Sequence, residues 1–189
     1  MLVHNLSERW ADYMVANGAP KDSREIYVYG LECTLNELIC DVILIAAAVC
    51  MKRVWEMACF IVVFNFLRMA VGGYHASSPF CCLFGSIAAG VVCVAVYPVL
   101  VGRRLAELFL SAVCVGIVWK TAPVVHTKHP VSEKRQKTVR KLARMMIIGT
   151  GLLILALGNS FPEPAAMICV TCVCTCALAL AGKYQTAAT

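Results

Sequence analysis

The sequence predicts an all-α protein, a polytopic membrane helix bundle of about six spans, with four spans as the alternative. Of its 189 residues, 60% are apolar and 15% are charged, against about 45–50% and about 25% in an ordinary soluble domain. Its mean hydropathy is +0.76. Such a chain has too little polar surface to cover a soluble particle, whereas lipid tails can solvate its outer face. We therefore exclude a soluble monomer and expect a single membrane domain over residues 1–189.

Residues 1–34 are expected to form an amphipathic segment on the membrane surface. Apolar side chains recur there at helical spacing until the stretch from Asn17 to Pro20 interrupts them: Leu2, Leu6, Trp10, Tyr13 and Met14. Asp22 and Glu25, three residues apart, resemble a capping box that opens a second helix. The segment is therefore predicted to be a pair of amphipathic helices.

Six apolar runs follow, each bounded by charge, Gly or Pro. They cover residues 35–51, 54–71, 81–101, 105–121, 145–160 and 164–182. Four acidic residues lie inside these runs, namely Glu37, Asp41, Glu56 and Glu107. Because a charge facing lipid is costly, these side chains are expected to point inward or toward an interface.

The distribution of positive charge predicts the orientation in the membrane. The chain carries 17 Lys and Arg against 11 Asp and Glu. In a six-span arrangement, only Lys52, Arg53, Arg103 and Arg104 lie on one side. The positive-inside rule then places both termini, the 72–80 loop and a long basic loop over 120–144 on the cytoplasmic face of the cell membrane.

The basic loop is expected to anchor the protein on anionic lipid. Residues 128–144 contain seven Lys and Arg and one Glu. Attraction of an acidic peptide tail is a second use of the same charge. Nucleic-acid binding is not expected, because aromatic residues are not interleaved with the basic ones.

The twelve cysteines are mostly expected to be small apolar side chains that fill helix contacts, because they lie in apolar runs. The cluster from Cys169 to Cys176 contains no His, Asp or Glu, and its thiols spread around more than one helix face. Small-residue packing is therefore favoured over a zinc site. We expect no metal or other cofactor, and keep a thiol-redox role of this cluster as an alternative.

Residues 68–86, RMAVGGYHASSPFCCLFGS, hold the densest set of reactive groups. Cys82 could supply a thiolate nucleophile and His75 its base. On one continuous helix the two side chains would stand ~10 Å apart along the axis, so the helix must break between them. Ser78 as N-cap and Pro79 at the first helical position provide that break.

The break places Cys81 and Cys82 in the first turn of the next helix. Unpaired N–H groups and the helix dipole there favour a thiolate and could hold an oxyanion. The alternative interpretation is a surface histidine beside a structural thiol.

The run R-x4-G-x-H-x6-C-x3-S, formed by Arg68, Gly73, His75, Cys82 and Ser86, resembles the accessory gene regulator B (AgrB) family of membrane cysteine peptidases. Two further stretches are similar to that family: Tyr29-Gly30-Leu31-Glu32, and Ala122-Pro123 followed by Lys128-His129-Pro130. The resemblance therefore covers most of the chain.

The resemblance implies a reaction on an AgrD-like precursor peptide with an amphipathic leader and an acidic tail. Cys82 would cut the peptide and form an acyl-enzyme thioester, with His75 as base and acid. A thiol or hydroxyl of the peptide would then close a thiolactone or lactone ring, without ATP. Cys81 falls outside the spacing and is treated as a bystander.

The resemblance also suggests a homodimer. Substrate-binding or supporting roles are predicted for Arg68, Gly73 and Ser86, with a packing serine as the favoured alternative for Ser86 and an ordinary loop glycine as the alternative for Gly73. Arg68 could bind a precursor carboxylate or form an ion pair with Glu37 or Asp41. The contrasting function class is a non-enzymatic membrane protein, either a small transporter or a thiol-redox carrier.

Overall fold

The computed structural model describes residues 2–71, 79–122 and 133–188, with side chains over 3–71, 83–122 and 136–184. Every long regular element in these ranges is an α-helix, which confirms the all-α prediction. The helices are α1 (Leu2–Ala16), α2 (Arg24–Met51), α3 (Val54–Val71), α4 (Pro79–Val96), α5 (Arg104–Thr121), α6 (Glu133–Leu157) and α7 (Pro162–Ala188).

The six predicted apolar runs correspond to helices α2 to α7. Among the described residues, three segments are long and apolar enough to cross a membrane: Lys21–Met51, Val54–Val71 and Pro162–Tyr184. Leu83–Val99 is a shorter apolar helix. The chain is therefore a membrane protein built from apolar helices, and six spans stays a prediction.

The helix α1 packs antiparallel to the first half of α2. The Arg24 guanidinium donates a 2.6 Å hydrogen bond to Asp12, and this bond lowers the pKa of the Asp12 carboxyl. Near the other end of α1, His4 is hydrogen bonded to Glu32. Ala11 is fully buried between the two helices while Trp10 remains exposed, so α1 is amphipathic as expected.

The predicted capping box at Asp22 and Glu25 is wrong. A 3₁₀ turn occupies Lys21–Ser23, and Ser23 precedes α2 without a side-chain capping bond. This turn starts directly after Pro20, so Asp22 lies inside it and cannot cap the helix. The helix α2 runs uninterrupted through Gly30 to Met51 and ends at Lys52, whose backbone is left-handed with a φ of 54°, so the described residues contain no separate second surface helix.

The helix α7 lies between two apolar cores. One core joins it to α3, α5 and α6 through residues such as Leu67, Val118 and Ile147. The other joins it to α2, α3 and α4 through residues such as Leu44 and Phe60. Both α3 and α7 contribute to the two cores, and α7 is the more deeply buried of the two, so it is the central element of the bundle.

Close packing of α4 depends on Gly90. A β-carbon at this position would lie 2.8 Å from Leu44 Cδ2 and 3.0 Å from Phe60 Cε1. Both distances are shorter than ordinary van der Waals contacts. A residue without a side chain therefore lets α4 approach α2 and α3 at this point.

The cysteines of α7 pack as predicted. Cys169, Cys172 and Cys176 are buried in the core shared with α3, α5 and α6. The Cys169 thiol donates to the Glu107 carbonyl at 3.6 Å. Cys50 is an exception among the cysteines, since it lies exposed near the end of α2.

The acidic residues in the apolar runs are buried, half-buried or paired, which agrees with their predicted inward placement. Glu107 is 1% exposed, and its Oε2 lies 3.3 Å from Arg104. Glu56 accepts hydrogen bonds from Arg53 at 2.8 Å and from Tyr97 at 3.1 Å.

Two more acidic residues follow the same rule. Asp41 accepts a hydrogen bond from Asn65 at 3.0 Å. Glu37 is half-buried on α2. None of the four therefore stands fully exposed on the outer surface of the bundle.

The basic segment 120–144 differs from the loop that the sequence predicts. The helix α5 continues to Thr121, and α6 begins at Glu133, so residues 133–144 are helical. Lys, Arg, Gln, Leu and Ala are good helix formers. The charged stretch therefore continues into the apolar part of α6 as one helix, and residues 123–132 lie outside the described ranges.

Candidate functional site

The candidate site lies at the junction between α3 and α4. The helix α3 ends at Val71 and α4 begins at Pro79, so Pro79 occupies the first helical position, where its missing N–H costs nothing. The predicted helix break falls between these two bounds and stays a prediction. Gly73, His75 and Ser78 belong to residues 72–78, outside the described residues.

The backbones of Cys81 and Cys82 lie in the first turn of α4, as predicted. Their side chains are outside the described set. The first four N–H groups of a helix have no acceptor within it, and the dipole makes this end electropositive. Backbone geometry at Cys82 is thus suited to an anionic sulfur or to an oxyanion.

Two of the predicted supporting residues contact each other directly. Arg68 Nη1 donates a hydrogen bond of 3.1 Å to Ser86 Oγ, and its guanidinium lies 5.6 Å from the centre of the Phe64 ring. Both residues are half-buried. Because Ser86 is one helical turn after Cys82, this contact fixes the last turn of α3 to the face of α4 that carries Cys82.

Sequence analysis did not single out two polar residues that connect helices. One is Asn65, in the second half of α3, and the other is Tyr97, which contacts residues at the start of α3. Asn65, three residues before Arg68, donates to Asp41 of α2. Tyr97 accepts a 2.9 Å hydrogen bond from Arg53 and donates to Glu56. A lone polar residue inside an apolar run was the available signal for Asn65, since such residues need a partner in the membrane.

A metal site in the described part of the chain would need several His, Cys, Asp or Glu side chains close together. No group of three or more His, Cys, Asp or Glu is arranged there to hold a metal ion. Among the predicted site residues, the side chains that the structure describes are those of Arg68 and Ser86.

Comparison with known proteins identifies the family. No curated protein and no solved structure matches the chain. The family model for accessory gene regulator B matches residues 7–181, nearly the whole chain. That match implies an AgrD-like precursor peptide as substrate in a membrane. The chain belongs to the accessory gene regulator B family, membrane proteins that process autoinducer peptides for quorum sensing.

Proposed function

We propose that this protein is a cysteine endopeptidase that cleaves its AgrD-like precursor with Cys82 as nucleophile and His75 as base and acid. The observation that carries the proposal is the start of α4 at Pro79. The backbone of Cys82 then lies in the first helical turn, and the spacing of His75 and Cys82 in the sequence agrees with the family resemblance. The family match over residues 7–181 supports the substrate class.

In the proposed first step, His75 takes the proton of the Cys82 thiol, and the thiolate attacks the carbonyl carbon of the scissile peptide bond. Free N–H groups at the start of α4 stabilise the oxyanion. The C–N bond then breaks, and His75 gives its proton to the leaving amine. The signal segment remains bound to Cys82 as a thioester.

In the second step, a thiol or hydroxyl within the peptide attacks the thioester carbonyl. The bond between Cys82 sulfur and the acyl carbon breaks, a thiolactone or lactone ring closes, and the proton of the attacking group returns to Cys82. Tethering gives the internal nucleophile a high effective concentration. A site with little water favours ring closure over hydrolysis.

Arg68, Ser86 and Gly73 support the site in this proposal. The hydrogen bond between Arg68 and Ser86 holds α3 against α4 one turn beyond Cys82. We also infer, from the resemblance and the charge distribution, a homodimer in the cell membrane with both termini and the catalytic loop in the cytoplasm.

The test is co-expression with the AgrD-like precursor, followed by mass spectrometry of the peptide fragments. Cys82→Ala and His75→Ala should each abolish cleavage. Cys81→Ala, the matched control on the adjacent residue, should largely retain it. Cleavage by membranes that contain Cys82→Ala would refute the proposal, as would an intact precursor beside folded wild-type protein. A thiol-redox protein would instead depend on the cysteines between Cys169 and Cys176.

A further inference from the structure

A groove lined by basic residues lies where α5 ends and α6 begins. Its volume is about 330 Å³, at the lower end of the range for small-ligand sites. Trp119 of α5 forms one side. The other side comes from α6: Lys137, Arg140, Lys141, Arg144, Met145 and Ile148. These α6 positions are three and four residues apart, so they form one helix face.

Positive charge in this groove is concentrated and has no acidic neighbour in the lining. The lining contains four cations and, among the described residues, no Asp or Glu. Neighbouring cations three or four residues apart repel each other and destabilise a helix. An anion bound between them would remove that repulsion, so the groove is built to attract negative charge.

Arg144 is held in a fixed orientation at the groove. Its guanidinium carbon lies 4.3 Å from the centre of the Trp119 ring, and Nη2 donates to the Trp119 carbonyl at 3.3 Å. A phosphate oxygen is an acceptor that a guanidinium stacked in this way binds well.

The remaining wall of the groove is apolar. Met145 and Ile148 are exposed by 54% and 40%, and they lead from the cations toward the apolar part of α6. Tryptophan is typical of the membrane–water interface, where its ring lies at headgroup level. The groove thus places its four cations beside the Trp119 ring and beside the apolar side chains of Met145 and Ile148.

We propose that this groove binds an anionic phospholipid. The cations hold the phosphodiester, and an acyl chain lies along Met145 and Ile148. Basic pockets between helices on the cytoplasmic side of membrane proteins bind such headgroups. An acidic peptide would use the same cations but would leave the apolar wall uncovered, so lipid fits the whole lining better.

Quenching of Trp119 fluorescence tests the proposal in the full-length protein. Trp10 and Trp55 are exposed by 59% and 72%, so Trp10→Phe with Trp55→Phe leaves Trp119 as the single fluorophore. The protein is reconstituted in phosphatidylcholine vesicles, and either phosphatidylglycerol or phosphatidylcholine with brominated acyl chains is titrated in. Brominated phosphatidylglycerol should reach half-maximal quenching at a mole fraction about fivefold lower than brominated phosphatidylcholine does.

Charge variants provide the matched comparison. Lys137→Gln with Lys141→Gln changes two exposed side chains of the lining and should remove most of this preference. Lys183→Gln, an exposed cation of α7 that does not line the groove, should leave it unchanged. Far-UV circular dichroism checks that the variants retain their helices.

Equal quenching by the two brominated lipids would overturn the proposal, as would a preference that survives in the double lysine variant. Displacement of brominated phosphatidylglycerol by an oligoglutamate peptide would assign the groove to an acidic peptide and would also overturn it. Because the readout is lipid quenching, its outcome is independent of precursor cleavage and of the function proposed above.

Discussion

At the scale of single residues, the contact that bears most directly on the proposed chemistry is the hydrogen bond from Arg68 to Ser86. Ser86→Ala removes the acceptor and frees the last turn of α3 from the helix that carries Cys82. Misplacement of a reacting group raises the activation barrier, so kcat for precursor cleavage should fall about tenfold, which corresponds to about 1.4 kcal/mol. KM should change little, because a positioning residue does not bind the peptide.

Ser86→Thr is the matched variant for this prediction, since it retains a hydroxyl at the same position. It should recover most of the wild-type kcat in the same assay of precursor cleavage. A purely structural role would lower the amount of folded protein in both variants without changing kcat per folded molecule. Full kcat in Ser86→Ala would contradict the positioning role.

Sequence alone identified Arg68 and Ser86 separately but could not show that they touch. Their separation of 18 residues includes a helix break, and spacing rules apply only within one helix. For Arg68 the sequence left two partners open, a precursor carboxylate or an acidic residue of α2. Only packing of α3 against α4 brings the Ser86 hydroxyl to the guanidinium.

At the scale of helices, Arg104 of α5 caps the end of α6. Its Nη1 donates to the Ile154 carbonyl at 2.7 Å, and Nη2 donates to the Leu155 carbonyl. These are among the carbonyls that a helix end leaves unpaired. The same guanidinium contacts Glu107, whose Oε1 has no hydrogen-bond partner among the described residues. The Arg104 side chain thus caps the end of α6 and pairs with the buried carboxylate of Glu107.

This cap predicts the effect of Gly158→Ala. The added β-carbon would occupy the position of the Arg104 guanidinium, so Arg104 would have to leave its carbonyl acceptors and Glu107. Unpaired buried groups cost about 1–3 kcal/mol each. The free energy of unfolding, measured by titration with sodium dodecyl sulfate in mixed micelles, should fall by about that amount.

Gly149→Ala is the control for this substitution. Gly149 lies within α6, and nothing stands within 4 Å of the added carbon. Because alanine favours helix over glycine by about 1 kcal/mol, this variant should be as stable as the wild type or more stable. Only Gly158→Ala is therefore expected to lose stability, and a loss of the same size in both variants would rule out the cap.

Helix positions were predictable from hydropathy, whereas the extents of two helices were not. The apolar runs correspond to α2 to α7 because each is bounded by charge, Gly or Pro. The sequence predicted a surface helix opening near Asp22 and a separate first apolar run, whereas α2 joins the two from Arg24 to Met51. The start of α6 was missed because hydropathy treats a charged helix as a loop, although its residues favour helix.

At the scale of the whole molecule, composition predicted a membrane bundle but not which helix lies at its centre. That helix is α7, and its small side chains explain why. Its buried hydroxyls are satisfied within the helix itself, since Thr171 donates to the Met167 carbonyl and Thr175 to the Thr171 carbonyl, each at 2.8 Å. Small residues and self-paired hydroxyls allow α7 to be surrounded by other helices.

The central position of α7 predicts that enlarging one of its cysteines is costly. Cys172 is 1% exposed and belongs to the core shared with α3, α5 and α6, so Cys172→Leu forces extra volume into a closely packed interior. Overpacking of this kind costs about 1–3 kcal/mol, measured as the free energy of unfolding in mixed micelles. Cys50→Leu makes the same chemical change at an exposed position and should leave stability within about 0.5 kcal/mol of the wild type. If Cys172→Leu were equally neutral, α7 could not be packed on all sides, and the arrangement of the two cores around it would be wrong.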